Sequence, residues 1–110
     1  MRVVQWGEDP ARVVCLLGSS RYQSDILSAA RAYEVRGDVV LAPHVYTGPS
    51  GVQLNKDEQA AVKEGTRRRI EMADLIVVIN PNNNIPEVVH REIEYAESLG
   101  RQITYIERPA

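Results

Sequence analysis

The chain has 110 residues, 44% apolar and 25% charged, with a formal net charge of −2 at pH 7. These values fit one small globular domain with a single core, and they exclude the strongly basic balance of a general nucleic-acid or membrane-surface binder. The lone Cys15 excludes an intrachain disulfide and, inside an apolar run, reads as a buried thiol. No apolar run approaches the ~20 residues of a membrane span. Residues 1–10 lack the apolar stretch of a signal peptide, so a cytoplasmic location is the expectation. Residues 1–11, which include Trp6, read as a loose segment ahead of a single domain that accounts for the rest of residues 1–110.

Residues 13–17 (VVCLL) form a short apolar run closed by Gly18, Ser19 and Ser20, the pattern of a buried strand. A helix is predicted over 22–36, with Ile26, Leu27, Ala30 and Tyr33 as its core stripe and Gly37 placed to end it. Residues 38–42 (DVVLA) give the second strand, and residues 43–54, with two prolines and two glycines, a long loop. Asn55 followed three residues later by Glu58 has capping-box spacing and opens a second helix reaching about Met72. Gly65 weakens that helix and predicts a bend or a tight contact in its middle.

Residues 75–79 (LIVVI) are the clearest strand, β-branched and apolar on both faces. The loop over 80–84 leads to a third helix over 86–100, with Val88, Val89, Ile93, Ala96 and Leu99 on its apolar face. Residues 102–106 (QITYI) form the last strand. The alternation predicts an α/β fold, a small Rossmann-like doubly wound parallel sheet of strand order 2-1-3-4 with helices on both faces. Ligands of such sheets bind at the carboxyl ends of the strands around the switch point, here between the first and third strands.

Glu92 is the residue that this layout singles out. It lies one turn after Val88 and one before Ala96, along the apolar face, whereas Arg91, Glu94 and Glu97 occupy the solvent side. A carboxylate taken out of water is costly without a partner. It is suited to attack at an anomeric carbon, where oxocarbenium-like charge develops; the alternative is an ion pair at the edge of the core. Gly18, Ser19, Ser20 and Arg21 offer hydroxyls, a helix N-terminus and a guanidinium to an anion, although the same spacing also describes a plain strand–helix turn capped by Ser20. His44, at the end of the second strand, and Asn80, Asn82 and Asn84 are candidate ligand contacts; Asn84 is also a candidate cap. Two histidines without a cluster give no metal-site spacing, and His90 falls on the solvent side of its helix. Arg67, Arg68 and Arg69 read as a favourable basic run near a helix C-terminus.

Four segments carry a family resemblance: residues 16–21 (LLGSSR), 37–43 (GDVVLAP), 69–80 (RIEMADLIVVIN) and 91–96 (REIEYA). In this order they resemble the nucleoside 2-deoxyribosyltransferase-like superfamily, which includes the 2'-deoxynucleoside 5'-phosphate N-hydrolases, over residues 12–107. The resemblance implies cleavage or transfer at the N-glycosidic bond of a nucleoside or nucleoside 5'-phosphate. Glu92 matches the nucleophile, and Gly18 to Arg21 match the turn that contacts the sugar-phosphate. It further implies no metal or organic cofactor, a small-molecule partner rather than nucleic acid or membrane, and a homodimer or larger homo-oligomer. The chain departs from the family pattern at Thr66, where members often carry an aspartate, and at Val88, where some carry a serine. Those departures motivate a second reading, a catalytically silent nucleotide-binding module that senses or sequesters its ligand.

Overall fold

The computed structural model describes residues 12–43 and 52–107. Trp6 and His44 lie outside the described residues, as do the rest of the N-terminal segment and most of the loop after the second strand. The elements are β1 (Val13–Gly18), α1 (Gln23–Glu34), β2 (Val39–Leu41), α2 (Lys56–Met72), β3 (Leu75–Ile79), α3 (Glu87–Ser98) and β4 (Gln102–Tyr105). All strand pairs are parallel and the order is β2-β1-β3-β4, the predicted small Rossmann-like α/β sheet.

Side-chain alternation along β1 and β3 builds two cores. Cys15, Leu17, Ile76 and Val78 face α2 and α3, where Ile70, Val89, Ile93 and Ala96 meet them. Val14, Leu16, Leu75, Val77 and Ile79 face α1 through Ile26. Both central strands are therefore buried on two sides, which is why they read as unbroken apolar runs. Among the described residues no helix is long and apolar enough to cross a membrane.

α2 begins at the predicted capping box. Asn55 Oδ1 accepts from the Glu58 backbone N–H at 2.9 Å, and Glu58 Oε1 accepts from the Asn55 N–H at 2.9 Å. Gly37 and Gly100 follow α1 and α3 with φ of +93° and +72°, a conformation that ends a helix without a Cβ penalty.

Several expectations are corrected. Leu27 is 58% exposed, because the stripe that packs on the sheet is Ile26, Ala29, Ala30 and Tyr33, and the next residue after Ile26 is rotated about 100° off it. Leu99 is exposed at the end of α3, and Val88 is 54% exposed where the helix passes over an open crevice. Ser19 rather than Ser20 caps the 3-10 turn Ser20–Tyr22, accepting from the Arg21 N–H at 3.3 Å. α3 is entered through Pro86 with no side-chain cap, so Asn84 has no capping role.

Gly65 causes no break in α2, which is continuous from Lys56 to Met72. A Cβ added there would meet only Arg69 Nη1, at 3.8 Å, an ordinary contact. Gly65→Ala is therefore expected to stabilise the chain by about 0.5–1 kcal/mol, read as a rise in the urea midpoint with an unchanged slope.

Candidate active site

Among the described residues, a cavity at the carboxyl end of β1, the switch point of the sheet, meets a second cavity at Thr66, Val88 and Glu92. The smaller, about 180 Å³, has Gly18, Ser19 and Ser20 along one wall and Pro86, Val88 and Val89 along the other. The larger, about 410 Å³, lies on the α2 side. Val52, Leu54 and Val62 give it apolar surface, and Gln53, Gln59 and Lys63 add two amides and an ammonium.

Glu92 is half-buried in the second turn of α3, near buried Val89 and Ile93 and exposed Val88. Among the described residues it has no hydrogen-bond donor and no cation within 4 Å. The edge-of-core ion pair is therefore not formed. Burial dominates and pushes the Glu92 carboxyl up to about 7, against the pull of Arg69 first and Lys63 second. A carboxyl with this value exists in both forms near neutral pH, which suits it to give or take a proton or to attack as the anion.

Gly18 serves the sheet as much as the cavity. It pairs with Ile79, and a Cβ on it would lie 2.9 Å from Ile79 Cβ and 3.2 Å from the Ile79 carbonyl oxygen. The glycine thus allows β1 and β3 to close up at the very point where the chain turns toward the crevice. Ser19 and Ser20 line the smaller cavity, but Arg21 is exposed and lines neither.

The asparagines of the loop after β3 are occupied elsewhere. Asn80 is fully buried; its Nδ2 donates to the Glu107 carbonyl at 3.0 Å and its Oδ1 accepts from the Glu107 N–H at 3.0 Å. This amide fastens the end of β3 to the chain leaving β4. Asn84 Nδ2 donates to the Tyr22 hydroxyl, joining the two loops at the switch point. Asn82 and Asn83 adopt left-handed φ of 56° and 59°, the geometry expected of asparagine in a tight turn. None of Asn80, Asn82 and Asn84 lines either cavity.

Gln59 and Lys63 on α2 are not singled out from the sequence, and there Thr66 stands only as a departure from the family pattern and Arg69 only as part of a basic run; all four belong to this site. Their spacing of four, three and three residues is a helical row, and it adjoins Ile70, the buried apolar anchor of that helix. The signal was present but polar, and apolar periodicity passes over it. The basic run divides along the same lines. Arg67 lies over the Tyr95 ring at 4.2 Å, and Arg68 pairs with Glu64 at 3.3 Å and Glu71 at 3.2 Å. Arg69 points inward, its Nη2 donating to Thr66 Oγ1 at 2.8 Å.

Cys15 sits beneath the site, its thiol pushed up to about 12, chiefly by burial. It is a core residue and no nucleophile. Among the described residues no group of three His, Cys, Asp or Glu side chains is placed to hold a metal ion. The chain matches no protein-family model and no curated protein.

Proposed function

We propose that the chain acts on the N-glycosidic bond of a nucleoside or nucleoside 5'-phosphate, with Glu92 as the nucleophile. The observation that carries this reading is the half-buried Glu92 carboxyl, unpaired among the described residues, at the junction of two cavities of different character. The smaller, with the Ser19 and Ser20 hydroxyls, suits the sugar and its 5' end. The larger, with apolar walls and two amides, suits a planar heterocycle.

In the ionised form, a Glu92 oxygen bonds to C1' as the bond from C1' to the base nitrogen breaks. The bonding pair leaves with the base, which takes up a proton. Water, or the nitrogen of a second base, then attacks C1' and frees the carboxylate. Gly18, Ser19 and Ser20 orient the sugar, and the residues around Gln53 and Gln59 take the place given to the asparagines in flanking the base. A homodimer belongs to the same proposal, on the strength of the sequence resemblance.

Chromatographic assay of free base from a panel of nucleosides and 5'-nucleotides tests it. Wild type is expected to release base from at least one member, and Glu92→Ala to lose at least about 10³-fold in rate, the scale of removing a covalent catalyst. Equal release by Glu92→Ala would rule out the assignment.

One observation favours a second reading. Thr66 stands beside Glu92 with its hydroxyl already engaged, donating to the Val62 carbonyl at 3.2 Å and accepting from Arg69. With no acid at that position, a binding module that holds nucleotide without cleaving it follows. Nucleotide that binds tightly and is recovered intact would select this reading over the first.

A further inference from the structure

We propose that Arg69, held by Thr66 behind the junction of the two cavities, is a positioning residue that supplies the counter-charge of Glu92 without touching the ligand. The inference rests on the reading of Glu92 as the working carboxylate, but its test does not require turnover.

Three observations support it. Arg69 does not share the outward pairing of its neighbours: Arg67 and Arg68 have Glu64 or Glu71 within 4 Å, whereas Arg69 has no acid that close among the described residues. Its guanidinium is fixed by the 2.8 Å hydrogen bond to Thr66 Oγ1, and Thr66 is itself buried and lines both cavities beside Glu92. Its Nε is buried and has no hydrogen-bond partner among the described residues, so part of a permanent charge lies in a poorly solvated place. A cation so placed acts on the nearest ionisable groups through a medium that screens it weakly.

Among the described residues, the groups that face Glu92 leave Arg69 as the principal one. On α2, Arg69 exerts the larger pull on its carboxyl and Lys63, which is exposed, the smaller. On β1, Cys15 is a neutral buried thiol on which both Glu92 and Arg69 act, so all three share one electrostatic neighbourhood. The turn after β1 presents Ser19 and Ser20, which carry no charge. On α3 itself, Arg91 is turned outward to Glu87 at 3.5 Å. Arg69 thus offsets the burial that opposes ionisation, and Thr66, in place of an acid, holds it there.

The test is the titration of the Glu92 carboxyl by carbon-13 NMR in the full chain, the resonance being assigned by its loss in Glu92→Gln. In Arg69→Met the midpoint is expected to rise from about 7 by about one pH unit, cutting the ionised fraction at pH 7 from about half to about a tenth. Thr66→Val is expected to move it in the same direction, and Arg69→Lys to keep most of the wild-type value. An unchanged midpoint in folded Arg69→Met would overturn the proposal. Should that variant fail to fold, an unchanged midpoint in Thr66→Val would do the same. A midpoint in Arg69→Lys as high as in Arg69→Met would mean that packing rather than charge is at work, and would also overturn it. Failure of wild type to release any base counts against the glycosidic reading alone and leaves this titration standing. Where base is released, the acid limb of kcat/KM moves with the midpoint.

Discussion

Glu92→Gln is expected to stabilise the folded chain by about 2–3 kcal/mol at pH 8 and by little near pH 4.5. The folded carboxyl titrates at about 7 and the unfolded one near the usual 4.5. Between those values the folded chain holds a proton that the unfolded chain has released. Stability therefore falls as the pH rises through that window and is level above it. A neutral amide of the same shape removes the cost of ionising a half-buried group, so the gain appears only where wild type is ionised. Urea unfolding at the two pH values reads it directly. A difference between variant and wild type that does not depend on pH would contradict the burial argument. The pairing of a gain in stability with loss of base release would mark Glu92 as a residue kept at the expense of the fold.

The second large effect concerns Gly18. Gly18→Ala is expected to destabilise the chain by about 1–3 kcal/mol, the usual range for overpacking a tight interior. The added methyl would sit 2.9 Å from Ile79 Cβ. β3 cannot yield, because Ile79 is buried and the strand is packed on both faces and paired on both edges. The shift must then come from the end of β1, which also carries Ser19 and Ser20 into the smaller cavity. Loss of stability and loss of binding should therefore appear together. A variant as stable as wild type that no longer bound nucleotide would show instead that the glycine is there for the ligand.

Much of this architecture is legible in the residues themselves. The run 75–79 is apolar at every position, and all five side chains are buried. The capping-box spacing at Asn55 and Glu58 marks the start of α2 to the residue. These signals are local, with periods of two or about 3.6 residues, and need no knowledge of what lies across the sheet. Leu27 and Val88 are the instructive misses. Each is apolar and within one position of a buried stripe, and whether such a flanking residue is covered depends on what the neighbouring elements leave open.

The site divides in the same way. From the residues alone, the helix face of Glu92, the turn at Gly18 and the order of the strands are enough to bring that acid to the switch point of a doubly wound sheet. Only the tertiary structure decides which polar groups join it there. Asn80 and Asn84 are suited to a ligand by type, but Glu107 and Tyr22 take their hydrogen bonds. Arg69 reads as one of three equivalent arginines, and the 100° step of the helix sends it inward to Thr66 while its neighbours find acids outside. Backbone periodicity is encoded within a few residues, so sequence reveals it. The pairing of polar side chains depends on elements tens of residues apart meeting at a few ångströms, and that is settled only when the chain has packed.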